Sequence, residues 1–424
     1  MNTLIAVAMR CVAACMRLVA VLISPPNGQE SVDRTDIAYA VRESNEILVI
    51  ALAEVGDVVL LSPFFKGLRL GAPHARITAV VRPAAVSFLK LCPYIDSVIE
   101  YDPRAHRILR PILLPLRAWK FARRRLSAYC FDIAVMPRWD VDHHFGSAVA
   151  LFSRARRRIA YSEHVSRRKG ILNAGFDSLM TDVVSGSAGT HEVERHMALL
   201  TMLGVPGSAH ALDIWLDETD QTAAQRELDG ISANKPLVAL GIGAADPKRR
   251  WPPARFAELG ATLRDRIGAH IIVIGGPGDR DAQAAILGEL GDDATALAGR
   301  LSLRESAAVL ERCQLFVGND SGPLHLAAAV GLPCVEISCH PAGADPLHNN
   351  APERFAPWGV PAIVLRPDAA IDATCASACV AVYPHCILGV SVTEVALACE
   401  SLIDTSRFDA RIGDRGIIGR SGKT

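Results

Sequence analysis

The order of apolar and polar positions divides the chain into two similar halves. In the first, ILVIALA (47–53), ITAVVRP (77–83), SVIEYD (97–102) and FDIAVMP (131–137) are short apolar runs suited to parallel strands buried on both faces. Val55-Gly56-Asp57 forms the turn after the first run, and a helix is predicted from about Val58 to Leu70, stopped by Gly71 and Pro73. HEVERHMALLTMLG (191–204) reads as a helix ending at Gly204. The second half restarts with PLVALGIG (236–243), HIIVIGGPGD (270–279), the strand–loop–helix stretch QLFVGNDSGPLHLAAAVGLP (314–333) and CVEIS (334–338). Helices are predicted from Pro252, on the stripe Phe256, Leu259, Leu263, Ile267, and from residue 303, where Ser302-Leu-Arg-Glu305 spells a capping box. This pattern predicts an α/β protein of two doubly wound, Rossmann-like domains facing each other across a cleft. Its ligands would bind beyond the carboxyl ends of the strands.

The first 26 residues follow another pattern. They are apolar apart from Arg10 and Arg17, which lie seven apart on one helix face with Thr3 and Ser24. No basic region precedes the apolar run, and Arg17 falls where a signal peptide needs its apolar centre, so a cleaved leader is not expected. No uninterrupted run of about 18 apolar residues exists, so a spanning helix is not expected either. Two readings remain: a helix lying in a membrane interface with its arginines toward headgroups, or a helix packed on its own domain. Pro25, Pro26 and Gly28 would end it. The expected organisation is an amphipathic helix (1–26), a linker (27–45), a first domain (46–210), a second (211–404) and a poorly ordered tail (405–424).

Half of the 424 residues are hydrophobic and 21% are charged, enough apolar side chain to exclude disorder for most of the chain. Forty-five Lys and Arg balance 45 Asp and Glu, and aromatic residues are 5%. Nucleic acid is therefore not an expected partner. Arginines nonetheless cluster in the first half: Arg104 to Arg125, including Arg107; Arg154 with Arg156 to Arg158; and Arg167, Arg168 with Lys169. An anionic glycolipid would explain them, as would solvated helix faces. Eleven cysteines are too few for a disulfide scaffold, and a reducing, cytoplasmic compartment is expected.

The predicted strand ends carry the candidate chemistry. Gly318-Asn-Asp-Ser-Gly-Pro-Leu-His325 joins a strand to an Ala-rich helix. Free N–H groups at the helix start, a close backbone approach at Gly322 and a donor at His325 would suit an anion. The alternative is a helix cap closed by Asp320 and Ser321. Lys248, Arg249 and Arg250 follow the Gly241-Ile-Gly243 turn and suit a diphosphate, or form a solvated basic stretch. Asp279 would accept hydrogen bonds from a ribose diol or cap the helix after it. Gly275-Gly-Pro-Gly278 lacks the GxGxxG spacing of dinucleotide folds. Asp57 would take a proton from a sugar hydroxyl, or would act as an N-cap.

Taken together, these spellings resemble glycosyltransferase family 9, the lipopolysaccharide heptosyltransferases. The resemblance runs over 46–404 and rests on ILVIALAEVGDVVLLSPFFKGLR (47–69), PYIDSVIEYD (93–102), KRRWPPARFAEL (248–259) and GNDSGPLHLAAAVGLPCVEI (318–337). It implies a GT-B fold and inverting, metal-independent transfer from a nucleotide-activated sugar, typically ADP-heptose, with no cofactor. The acceptor would be a lipopolysaccharide-core or related glycan, reached from the cytoplasm or the cytoplasmic face of the inner membrane. Asp57 matches the family's general base. Gly243, Asp320, Ser321, Gly322 and His325 fall in the donor-binding loops, and Asp279 is the candidate ribose contact. The family's phosphate-binding lysine falls on Arg249, with Lys248 one step earlier. The other classes are a nucleotide-sugar binding module without turnover and a GT-B sugar epimerase, the latter lacking an evident carboxylate pair in 241–280.

Two stretches depart from the family pattern. Arg138, Asp140 and His143, with His144, are acceptor-side candidates in PRWDVDHH (137–144), where Trp139 would alternatively pack the domain. CHPAGADPLHNNAPERFAPWG (339–359) is a longer loop that would face the donor. Cys375, Cys379 and Cys386 with His385 resemble a cysteine cluster near the C-terminus of many relatives, and read as free thiols or a facultative disulfide because the spacing is not that of two close cysteine pairs. No metal ligand set is therefore expected.

Overall fold

The computed structural model describes residues 2–23, 36–104, 109–186, 190–205, 211–372, 375, 379 and 381–403. Pro25, Pro26, Gly28, Arg107, the 206–210 part of the interdomain connection and the tail from 405 lie outside the described residues. The chain divides into two compact units, Met1–His210 and Ala211–Thr424.

In the first unit six parallel strands, β1 (Glu46–Ala51), β2 (Arg76–Val81), β3 (Ser97–Glu100), β4 (Ile133–Met136), β5 (Arg157–Tyr161) and β6 (Asp182–Val184), are ordered 3-2-1-4-5-6. In the second, β7 (Leu237–Gly241), β8 (His270–Ile274), β9 (Ala294–Ala296), β10 (Leu315–Asn319), β11 (Cys334–Ile337) and β12 (Ala362–Leu365) are ordered 12-11-10-7-8-9, again all parallel. Both are the dinucleotide-fold order, read from opposite edges. Its central feature is a switch point between the first and fourth strands of each sheet, where successive connections leave in opposite directions and open a crevice. The residues just after β1, β4, β7 and β10 are thereby brought to the two switch points. The central strands are buried along their length, as their Val, Ile, Leu and Ala composition requires.

Sequence and structure differ where a proline or a charge changes the local balance. The helix predicted over 58–70 is two helices, Val55–Leu60 and Ser62–Gly71. Pro63 has no N–H to continue the ladder, and the Ser62 hydroxyl donates to the Val59 carbonyl at 2.7 Å. Asp57 consequently lies in the first turn of a helix, not in the turn before it. Within the predicted linker, Ile37–Arg42 is helical and capped by Asp36, with Val41 buried.

The arginine clusters are only partly solvated. Arg157 and Arg158 open β5; Arg157 pairs with Asp182 of the neighbouring strand at 2.5 Å, and Arg158 donates to the carbonyls of Leu179 and Ala155. Lys169 is buried, its ammonium bonded to the carbonyls of Tyr161 and Trp139 at 2.9 and 3.1 Å. Burial pushes that ammonium down to about 8, against the opposing pull of Asp142 and Asp140. Arg123 to Arg125 remain exposed, following the buried series Leu114, Ala118, Ala122, Leu126.

The N-terminal helix, Asn2–Ile23, buries Met9, Ala13 and Met16 in the first unit's core and packs against helix Arg167–Leu172 and the turn Phe176–Leu179. Leu4, Val7, Leu18 and Val21 stay exposed, as do Arg10 and Arg17. Length and mean hydropathy over Thr3–Val21 would by themselves suffice for a bilayer crossing despite the two arginines. The buried stripe shows that one face is packed on the protein.

A second anchor of this unit is Arg195, fully buried, with its guanidinium 3.6 Å from the centre of the Trp139 ring and 2.5 Å from Glu192. Trp139 therefore packs the domain. Replacing Arg195 with Met breaks a buried ion pair and a cation–π contact together, and is expected to lower stability by about 3–5 kcal/mol in urea denaturation.

Candidate functional site

In the first unit Asp57 follows β1, and Arg138 follows β4, its neighbour at the switch point. Arg138 Nη1 donates to Asp57 Oδ2 at 3.2 Å, and its Nε donates to the Val141 carbonyl at 2.7 Å. Burial opposes the guanidinium charge, but Asp57, Asp140 and Glu192 outweigh it and raise Arg138 above its ordinary value. Oδ1 of Asp57 has no hydrogen-bond partner among the described residues, and the side chain is about a third exposed, at 29%. The other candidates in this loop divide. Asp140 is buried and accepts from the Val141 N–H, with Arg168 4.0 Å away. His143 is half-buried, and burial, then Arg138 and Arg168, lower it. His144 is pushed down to about 4, first by burial and then by Arg82.

The loop is held by residues that sequence reasoning did not single out. Asp142 accepts from the N–H groups of Gly146 and Ser147 and from the Ser147 hydroxyl, and so caps helix Gly146–Phe152. Asn173 bonds Asp142 through both its backbone groups. Phe145 sits at φ 56°, a left-handed conformation rare for a bulky residue, directly before that helix.

In the second unit the connections after β7 and β10 meet. Arg249 Nη1 pairs with Asp320 Oδ2 at 3.0 Å, and Asp320 is buried. Burial disfavours the Arg249 charge, yet Asp320 more than compensates and raises it. Lys248 bonds Asp246 at 3.1 Å and the Cys379 carbonyl at 3.3 Å. Helix Gly322–Ala329 starts at Gly322 with Pro323 in its first turn. Ser321 occupies the N-cap position but makes no side-chain cap bond. Its Oγ and Arg249 Nε are buried without a partner among the described residues. His325 is buried, with Nε2 3.9 Å from Asp320 Oδ1. Beneath them Glu336 of β11 is buried with neither oxygen bonded. Burial first, and Asp320 next, raise its carboxyl well above the usual range.

The remaining donor candidates have local roles. Asp279 accepts from the Gly276 N–H at 2.8 Å and so closes its own turn; its carboxylate packs where a Cβ on Gly243 would stand. Gly241 and Gly318 lie side by side on β7 and β10, where a Cβ on Gly318 would come within 2.6 Å of the Gly241 carbonyl. The 339–359 loop is fastened to β12 by Arg366, bonded to the carbonyls of His340 and Pro341 and to Glu353.

Asn319, unnoticed in the sequence because its role is toward backbone, joins the two connections. Its Oδ1 accepts from the Trp251 N–H at 2.9 Å, and its Nδ2 donates to the Ile242 carbonyl at 3.0 Å. Its position directly before Asp320 was the available signal.

Comparison with known proteins places this geometry. Residues 119–360, more than half of the chain, match the family model "Glycosyltransferase family 9 (heptosyltransferase)". Lipooligosaccharide heptosyltransferase 2 of Haemophilus influenzae is 30% identical over 321 residues, 72% of this chain and 87% of that protein. Lipopolysaccharide heptosyltransferase 2 of Salmonella typhimurium is 27% identical over 305 residues, 69% and 82% respectively. Among solved structures, a glycosyl transferase family 9 protein from Veillonella parvula superposes with a TM-score of 0.67 at 25% identity, over 84% of this chain and 97% of that one. The E. coli ADP-heptose heptosyltransferase II superposes with a TM-score of 0.61 at 21% identity, over 84% and 98%. The fold class is GT-B, two Rossmann-like units.

Asn319→Ala leaves the buried Trp251 N–H and the Ile242 carbonyl without their partner. A loss of about 1–3 kcal/mol is expected in urea denaturation.

Proposed function

The chain belongs to glycosyltransferase family 9, and from that premise we propose that it transfers heptose from ADP-heptose, with inversion, to a lipopolysaccharide-core or related glycan. The enzyme class, a glycosyltransferase, follows from family membership. The donor, the stereochemical course and the residue roles are our reading, supported by the named activities of the relatives. The observation that carries it is the pair of buried, unpartnered donors, Ser321 Oγ and Arg249 Nε, beside the start of helix Gly322–Ala329. A diphosphate supplies the acceptors that such donors lack.

Inversion is a single displacement. The acceptor hydroxyl attacks the anomeric carbon, loses its proton to a base, and the nucleoside diphosphate leaves. Asp57 is the proposed base: Arg138 holds Oδ2, and Oδ1 is left to take the proton. On the leaving side, Arg249, Lys248, Ser321 and the N–H groups from Gly322 onward would stabilise the charge growing on the diphosphate. Asp320 orients the Arg249 guanidinium by fixing Nη1. Gly243 and Asp279 would border the nucleoside, His325 would support Asp320, and Asp140 and His143 would border the acceptor. No cofactor takes part in this reading.

Cellular placement follows the same reading: cytoplasmic, and peripheral at the inner face of the membrane that carries the acceptor. The exposed apolar face at Leu4, Val7, Leu18 and Val21, flanked by Arg10 and Arg17, would rest among headgroups.

Asp57→Asn should lower transfer, followed by ADP release from ADP-heptose, by about two to four orders of magnitude. It should leave ADP binding intact. ADP at 100 times its dissociation constant should stabilise the protein by about 2.7 kcal/mol in a thermal-shift series with UDP, GDP, CMP and TDP as competitors. Unaltered turnover in Asp57→Asn would remove the base assignment, and a selective response to another nucleotide would replace the donor. For the membrane contact, the protein should float with anionic vesicles, and the double substitution Leu4→Glu, Leu18→Glu should abolish flotation without changing activity on a soluble acceptor.

A further inference from the structure

Near the end of the second unit, Cys375, Cys379 and His385 converge although ten residues of chain separate the first from the last. Cys375 Sγ lies 3.0 Å from His385 Nε2, and Cys379 Sγ lies 3.5 Å from the same nitrogen. All three ligand atoms fall within 4.8 Å of one another. Cys386 is buried in the wall of the same small cavity, outside the group of three, and a rotation of its side chain would bring a third sulfur toward it. The donors are therefore three sulfurs and one imidazole nitrogen. Zn–S and Zn–N bonds of about 2.3 and 2.0 Å at tetrahedral angles place neighbouring ligand atoms about 3.5–3.8 Å apart. The two sulfur–nitrogen distances of 3.0 and 3.5 Å are close to that size. The cluster is the one such group of three found among the described residues.

We propose that Cys375, Cys379, His385 and Cys386 bind one divalent zinc ion in a closed, structural site. The donor set selects the metal: thiolate with imidazole in tetrahedral geometry suits zinc, whereas magnesium, calcium and manganese take oxygen ligands. With four protein ligands, no coordination position is left for substrate, so the ion does not take part in transfer.

Its place in the fold indicates what it holds. The Cys379 carbonyl accepts from Lys248, the next turn begins at Cys386, and that turn is bonded to the donor loop. Trp251 Nε1 and Arg255 Nη1 both donate to the Val390 carbonyl, at 3.1 and 2.8 Å, and Arg255 donates also to Leu388. The ion would staple Cys375, Cys379 and the turn from Cys386 to Val390 behind residues 248–255, which carry Lys248 and Arg249. These act as donor-binding groups only on the reading above; metal binding itself does not depend on that reading.

The test is the metal content of the full-length protein, purified under reducing conditions without chelator and measured by mass spectrometry. Close to one zinc per chain is expected in the wild type. Cys375→Ser and Cys379→Ser should fall to background, and the control Cys130→Ser, at an exposed free cysteine, should retain the ion. Should the variants fail to fold, cobalt(II) loaded into stripped wild-type protein decides the matter. Thiolate-to-cobalt charge-transfer absorption with tetrahedral visible bands is the expected result. Chelation should lower Tm, and zinc should restore it. The proposal is overturned if wild-type protein holds no zinc after incubation with the ion and gel filtration. It is equally overturned if Cys375→Ser and Cys379→Ser keep their zinc. Loss of transfer in a zinc-replete protein would count against the proposed function and leave the metal site standing.

Discussion

A parallel strand buried on both faces cannot present chemistry along its length; it can do so only at its end. Both sheets of this protein are of that kind, so every reactive group has to be supplied by the few residues after a strand. The strand order then determines which ends are neighbours. β1 lies beside β4 and β7 beside β10, and from those four connections come Asp57, Arg138, Arg249 and Asp320. Their pairing in space is a consequence of topology first and of side-chain choice second.

Within that constraint, the charges are arranged in opposed pairs. Arg138 faces Asp57, and Arg249 faces Asp320. Each arginine is partly enclosed, where an isolated charge would be costly, and each carboxylate offsets that cost while fixing the guanidinium's orientation. Glu336 fits the same logic: buried close to Asp320, its carboxyl is raised well above the usual range. Lys169 shows the opposite solution, an ammonium surrounded by backbone carbonyls.

The central strands, the capping box at Ser302 and the loop around Asp320 were legible because burial, periodicity and cap chemistry are local properties. β5, β6, β9 and β12 were not. They are short and lie toward the sheet edges, and β5 begins with two arginines whose partners, Asp182 and the carbonyls of Leu179 and Ala155, become adjacent only after folding. Asp57 and Arg249 could be singled out from their loops, but not their partnership with Arg138 and Asp320 across 81 and 71 residues. Asn319, Asp142 and Asn173 act on backbone groups, which leave no mark in residue spacing. Cys375, Cys379 and Cys386 were read as free thiols or a facultative disulfide because linear spacing was taken as the guide, whereas folding brings the sulfurs of Cys375 and Cys379 to one nitrogen of His385.

The adjacent glycines 241 and 318 bear on how this site can change over evolutionary time. A side chain on Gly318 would meet the Gly241 backbone, and one on Gly241 would meet the ring of Phe316. A single-step substitution at either position is therefore blocked by a neighbour that would itself have to move. Substitution is thereby channelled away from these two strand ends. The backbone between the two strand ends is kept bare, and change is left to the loops around it.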